Sequence, residues 1–239
     1  MSDAYSGIAA AIKDGDVEAV RRGLEADPAV VDATGDHGVT LLHHAAEHDR
    51  AEIAWVLLQA GAPVNRRADW GHSPLSWAAN CGSAATGRVI ADAGGGPPTL
   101  WDASGLGWRA DVETILSASV LDEAHRHERF EQVEGGSWIS HGPIMDDALL
   151  LSDCFYISGR NGHTEIARLL EQRGADVNFR GFFGGTALHW AAINGHRGTV
   201  EYLLTAGADH SLRDVQFDAD PAGWAKEGGH AELADLLTP

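Results

Sequence analysis

Three groups of residues in this chain have types and spacings that could do chemistry. His44-Ala45-Ala46-Glu47-His48 spells H-x-x-E-H, the string of one metalloprotease class. On a helix, imidazoles at i and i+4 share a face and can hold zinc, with the glutamate as a base. No third ligand stands at a telling spacing, and Glu47 reads as a free helix-end residue, so no metal site is expected. His125 and His127 are two apart and leave opposite sides of a helix, while His127 and Glu131, four apart, can meet on a solvated polar one. The third group is Asp102 with His72 and His141. A carboxylate in an apolar, tryptophan-lined hollow has its pKa raised and can shuttle protons, and His141 stands in a segment that could cover it. The simpler reading is that Asp102 accepts hydrogen bonds from backbone left unpaired by a shortened turn. Neither Cys81 nor Cys154 has a C-x-x-C partner, G-x-S-x-G is absent, and no glycine-rich phosphate loop follows a strand, so no cofactor is expected.

Composition narrows the classes. The 239 residues are 44% apolar and carry 17 basic against 35 acidic side chains, a net charge of −18. Such a surface repels phosphate backbones, which argues against nucleic acid, and favours solubility and basic partners. No run of 18 apolar residues could span a membrane, and MSDAYSGIAAAIKDGDVE has no basic stretch before an apolar core. Two cysteines 73 apart read as ordinary thiols in a reducing cytoplasm. A chain heavy in Ala, Gly, Asp and Arg is compatible with a bacterial source.

The elements that must position these residues repeat. Thr40-Leu41-Leu42-His43-His44-Ala45-Ala46 lines up with Thr186-Ala187-Leu188-His189-Trp190-Ala191-Ala192, and Ser73-Pro74-Leu75-Ser76-Trp77-Ala78-Ala79 is a third copy 33 residues after the first. Asn161-Gly162-His163 recurs 33 later as Asn194-Gly195-His196, and Gly61-Ala62, Gly94-Gly95, Gly174-Ala175 and Gly207-Ala208 close the units. This pattern resembles the ankyrin repeat, with its 33-residue period and T-P-L-H-x-A signature, over roughly residues 4–116 and 148–237. In each unit Thr or Ser caps a short helix with paired alanines, a glycine breaks the chain, and a second helix carries apolar residues such as Ile166, Leu169 and Leu170 before Gly-Ala ends it. One helix pair cannot bury its apolar face, so pairs stack.

The expected fold is therefore all-α: an ankyrin-repeat solenoid of about seven stacked helix-turn-helix units with short hairpin turns, forming a single domain over 1–239. Residues 1–35 and 215–239 read as cap repeats, 36–116 as repeats two to four, 117–147 as an irregular insertion, and 148–214 as repeats five and six. Gly94-Gly95-Gly96-Pro97-Pro98 runs almost directly into Thr99, so the hairpin turn of unit four is missing; 121–133 is expected as a polar helix and 135–147 as a glycine-rich loop.

Repeat scaffolds bind through positions that the core leaves free. Three residues before the cap the copies read His37, Trp70, Leu150, Phe183 and Phe217; beside them stand Phe182 and His72, and four after the cap stand His44, Trp77, Asp102, Ile157 and Trp190. Of these, His37, Trp70, Phe182, Phe183, Phe217, His72, His44, Trp77 and Trp190, together with His48 at a helix end, predict an aromatic-lined groove on the concave side, taking a protein or peptide partner or a small hydrophobic ligand. The alternative is a cofactor-independent enzyme (an isomerase, dehydratase or cyclase) or a ligand-binding protein, with its pocket at the shortened fourth repeat and Asp102, His72 and His141 as the acid-base set.

Overall fold

The computed structural model describes residues 3–118, 121–132 and 138–238. Fourteen α-helices there form seven consecutive pairs, as the repeat predicts. They are α1 (Asp3–Asp14) with α2 (Val17–Ala26), α3 (Leu41–Glu47) with α4 (Ala51–Gln59), α5 (Pro74–Cys81) with α6 (Ala84–Asp92), and α7 (Leu100–Gly105) with α8 (Arg109–Ser117). The series continues with α9 (Asp147–Arg160) and α10 (Thr164–Glu171), α11 (Ala187–Ile193) and α12 (Arg197–Thr205), then α13 (Pro221–Glu227) and α14 (Ala231–Leu237). No described helix is long and apolar enough to cross a membrane. The chain divides into two compact units, Met1–Asp102 with His127–Pro143, and Ala103–Arg126 with Ile144–Pro239.

Two of the first helices, α3 and α11, begin from the same local device. Thr40 caps α3: the Thr40 N–H donates to His43 Nδ1 at 3.2 Å, and the His43 N–H returns a bond to Thr40 Oγ1. His189 repeats this with Thr186 at the start of α11. Because Nδ1 accepts, Nε2 carries the hydrogen, and it donates to the next finger's carbonyl, His72 O at 3.0 Å and Ala219 O at 3.3 Å respectively. The scaffold histidine thus ties α3 and α11 each to the following repeat. Short helices such as these hold only because they are packed. In the first unit the core gathers Tyr5, Ile8, Ile12, Leu41, Leu42, Ile53 and Leu57. In the second, α9 packs on α10 and α11, and α11 on α13, burying Phe155, Ile157, Leu170, Leu188, Val200 and Leu203.

Between helix pairs the chain projects fingers, each closed by one backbone bond: Gly35 N–H to Val39 O, Ala68 to His72, Gly181 to Gly185, and Asp214 to Ala219, all 2.8–3.0 Å. Neighbouring fingers are stitched by Asp69 N–H to His37 O at 2.8 Å in the first unit and Val215 N–H to Phe183 O at 2.9 Å in the second. No such bond lies among the described residues between Gly94 and Thr99, where Gly94 and Gly96 take positive φ (95° and 91°) and Pro97-Pro98 leads straight to the cap.

The insertion corrects two expectations. Of the segment 121–133, residues 121–132 are not a helix: after one turn at Glu123–His125 the chain runs extended as β1 (Glu128–Gln132), antiparallel to β2 (Trp138–Pro143), with Phe130 opposite Ser140 and a bulge after Glu128, while 133 lies outside the described residues. The charged residues have helix propensity, but the β-branched and aromatic Trp138-Ile139 supply a strand partner that wins. The predicted loop is strand over 138–143, while 135–137 lies outside the described residues. The second unit holds the end of the insertion through Arg126, whose buried guanidinium donates to Ile144 O at 2.8 Å, Leu121 O at 3.4 Å and Asp147 Oδ1 at 2.5 Å. Arg126→Met removes the donors to two carbonyls and is expected to cost about 1–2 kcal/mol. Limited proteolysis checks this: cleavage within 117–147 should accelerate while the repeat fragments persist.

Candidate functional site

The free positions of the repeat fall on finger tips and on first-helix turns four residues after the cap. At two tips the backbone itself is unusual: His37 and Phe183 have φ of 57° and 59°, the left-handed region that favours glycine. A bulky residue there costs about 1 kcal/mol. Both units therefore keep a ring where glycine would relax the turn.

In the first unit the structure brings four predicted residues into one chain of rings. His37 lies 6.0 Å from Trp70, Trp70 5.4 Å from Trp77, and Trp77 5.9 Å from His72. His72 then stacks on Trp101 at 5.5 Å, and Trp101 meets His127 at 5.5 Å. The His37 and Trp70 tips are exposed and half-buried, with Asp69 Oδ2 3.7 Å from His37 Nδ1. His127, expected on a helix beside Glu131, instead faces Trp101 at the start of the hairpin. His44 stays outside this chain, edge-on to Tyr5 at 5.9 Å with its Nδ1 3.6 Å from Glu47, and His48 caps the C-terminus of α3. Burial, opposed by Glu47, lowers the His44 pKa below its ordinary value.

In the second unit the predicted rings make an exposed cluster. Phe182 and Phe183 are 4.0 Å apart, Phe183 meets Phe217 at 6.2 Å, and Phe217 approaches Trp224 at 6.4 Å. Trp190 joins through Trp224 at 4.9 Å, and the Arg160 guanidinium lies 4.2 Å from the centre of the Trp190 ring. Phe182, Phe183, Val215 and Phe217 are 56%, 36%, 77% and 63% exposed, four of the eight exposed large hydrophobic side chains among the described residues. Leu150, read as a fifth tip, is instead fully buried inside α9, which starts earlier from its cap Asp146.

Several supporting residues escaped the sequence reading. Trp224 stands four after its cap Asp220, as Trp190 does after Thr186, so register alone would have found it. Asp214 is buried beneath the last finger and accepts from the N–H groups of Gln216, Phe217 and Ala219 and from Trp224 Nε1, all within 3.0 Å. Burial pushes its pKa up, but the bonds from Phe217, Trp224, Ala219 and Gln216 outweigh that and hold it at about 2. Tyr156, from the preceding helix, accepts the Phe182 N–H at 3.2 Å, and its ring fills the place where a Cβ on residue 181 would stand, which is why Gly181 is needed. Burial pushes the Tyr156 hydroxyl well above the usual phenol range.

The three residues of the acid-base set stand on different elements: Asp102 on α7, His72 in the finger before α5, and His141 on β2. Asp102 is buried, and its Oδ2 accepts from the Thr99 N–H at 2.9 Å and hydroxyl at 2.7 Å, taking the place of the scaffold histidine in the capping box of α7. From the cap to the carbonyl that accepts the turn N–H this repeat is one residue shorter than the one before it (Thr99 to Ala103, against Ser73 to Ala78), which draws Asp102 from the tryptophan column into the cap. The backbone-satisfying role is thus the one the structure gives it. Among the described residues its side-chain hydrogen bonds all go to Thr99; His72 is stacked on Trp101, and His141 is exposed on β2. No three His, Cys, Asp or Glu side chains converge to hold a metal among the described residues, the H-x-x-E-H string included.

Comparison with known proteins follows the same register. A family profile for ankyrin repeats matches in three copies over residues 8–96 and 148–214. Over 108 residues, 45% of this chain, the sequence is 33% identical to the palmitoyltransferase AKR1 of Lachancea kluyveri, and over 75 residues, 31% of the chain, it is 44% identical to the mitochondrial disaggregase of Homo sapiens. The chain spans only 12% and 10% of the length of those two proteins. Among solved structures, the human ASB11 ankyrin repeat domain aligns over 100% of this chain and 99% of that one, at 21% identity and a TM-score of 0.47.

Proposed function

Because the chain belongs to the ankyrin-repeat family, we propose that it is a binding protein that takes a protein or peptide partner against the rings of its finger tips and first-helix turns. Repeats of this kind are in general protein–protein interaction modules. The observation that carries the finer reading is the cluster of Phe182, Phe183, Val215 and Phe217, exposed on two adjacent fingers and held by Tyr156 and Asp214 from beneath. Clustered exposed aromatics mark contact surfaces, and rings fixed by buried supports lose little entropy on binding. The rings of the first unit, Trp70 and Trp77 foremost, serve the same purpose there. A reducing cytoplasm is the compartment proposed, since Cys81 is exposed.

Replacing Phe183 and Phe217 together by alanine tests this. Capture of the partner from an extract of the source cells by the immobilised chain is expected to fall at least about tenfold. The melting temperature should hardly move, because exposed substitutions change stability by about 0.5 kcal/mol or less. Asp102→Asn should leave capture unchanged. Undiminished capture by the double variant would remove the finger tips from the account.

A further inference from the structure

The two units treat one position of the repeat in opposite ways. Arg160, whose guanidinium covers Trp190, stands three residues before His163, and the His163 N–H bonds back to Ser158 O. Trp190 stands six before His196, which bonds back to Ala191 O in the same manner. The matching bonds in the first unit are Arg50 N–H to Ala45 O and Ser83 N–H to Ala78 O. Counting from them, Glu47 occupies the place of Arg160, and Trp77 in the following repeat occupies the place of Trp190. At the repeat position of the guanidinium the first unit carries a carboxylate, 3.6 Å from His44 Nδ1.

Among the described residues no arginine or lysine stands over the ring of Trp70 or Trp77 as Arg160 stands over Trp190, and the partners of Asp69 and Glu47 are the imidazoles of His37 and His44. Among the described residues Trp77 meets the rings of Trp70 and His72, and Trp70 meets those of His37 and Trp77. Arg50 donates to the carbonyls of Ile12 and Lys13, Arg66 to that of Asp32, and Arg67 pairs with Glu128. The side chains of Glu47 and Asp69, the latter next to Trp70 in the finger, are 46% and 59% exposed. Two half-buried indoles, with Asp69 next to Trp70 in the chain and Glu47 at the repeat position of Arg160, suit a cation over a ring face, and the chain's charge of −18 draws basic segments toward them.

We infer that Trp70 and Trp77, with Glu47 and Asp69, form a subsite for the cationic side chain of a basic peptide, which fills from outside the place that Arg160 fills within the second unit. Arginine is preferred to lysine, since a planar guanidinium both stacks on the indole and pairs with a carboxylate. This rests on the binding reading above and gives the partner's chemistry at one place.

The test is fluorescence anisotropy of a labelled, capped peptide of four arginines titrated with the full chain, beside the same peptide with citrulline, which keeps the shape and lacks the charge. The citrulline peptide is expected to bind at least about tenfold more weakly, and Trp77→Ala and Glu47→Arg should each weaken the arginine peptide about tenfold. Glu47→Arg supplies the cation internally, and arginine suits the last turn of a helix, so folding is not at risk. Glu25→Arg makes the same change of net charge on exposed α2 and should bind within about twofold of the parent. Equal binding of both peptides, no effect of Glu47→Arg, or an equal loss in Glu25→Arg would each overturn the inference. If the peptide results fail while Phe183→Ala with Phe217→Ala still abolishes partner capture, the subsite falls and the binding reading stands.

Discussion

Asp214→Ala is expected to be among the most destabilising single substitutions in the second unit, costing about 3 kcal/mol and lowering the melting temperature by roughly 10 °C. Its carboxylate is buried and answers four N–H donors, those of Gln216, Phe217 and Ala219 and the indole of Trp224. Alanine leaves the donors unmet in a place that water does not reach, and a buried unsatisfied donor costs about 1–3 kcal/mol before any relaxation. Asp214→Asn keeps one acceptor oxygen and should lose about half as much. Asp218, with its side chain 84% exposed beside Arg213, is the control; Asp218→Asn, which also suits its positive φ of 50°, should cost well under 1 kcal/mol. Thermal melts of the three variants decide the matter. Because Asp214 also fixes Phe217 and Trp224, Asp214→Ala should weaken partner capture in proportion to the finger it loosens.

The second large effect is loss of stability in mild acid. Burial lowers the pKa of His43, His163, His189 and His196 below the ordinary 6.5, against the raising influence of the carbonyls that His43, His163 and His189 bond. For His43 and His189 the reason is visible in the capping box: Nδ1 accepts a backbone N–H, and a proton placed there would face that donor. The folded chain therefore holds these rings neutral. Below pH 6.5 the unfolded chain binds protons that the folded chain refuses, so stability rises with pH and is lost as pH falls below about 6.5. Asp214 acts in a different window: its depressed pKa gives stability present above about pH 4 and lost as pH falls toward 2. Melting temperatures should be level from pH 7 to 8.5, fall from 6.5 to 5, and fall again below 4. Gln at both 163 and 196 should flatten the first decline. A level profile down to pH 5 would contradict the neutral-histidine scaffold.

The helix pairs were legible because their devices are local: the Thr or Ser cap, the paired alanines and the glycine breaks each lie within a few residues of what they control. The tip rings were legible for the complementary reason, as positions where copies of one frame differ. The hairpin over 128–143 was not, because residues with helix propensity were overruled by a partner strand ten residues away. Asp214, Tyr156 and Arg126 were also invisible, since nothing in the sequence marks an acid, a phenol or a guanidinium as buried until the neighbouring repeats close over it. Asp102 was read four residues after its cap and stands three after it: the frame is fixed by the cap at Thr99, and the helix behind it is shorter.

The central claim is that partners dock on the finger-tip rings. A photo-cross-linking amino acid placed at 217, and in a second protein at 55, measures it most directly. Trp55 is 53% exposed and lies on a second helix, away from every position assigned to binding. After irradiation in an extract of the source cells, position 217 should give a discrete adduct that disappears when Phe183→Ala is added, and position 55 should give none. Adducts of equal yield at both positions, or an adduct at 217 indifferent to Phe183→Ala, would contradict the account.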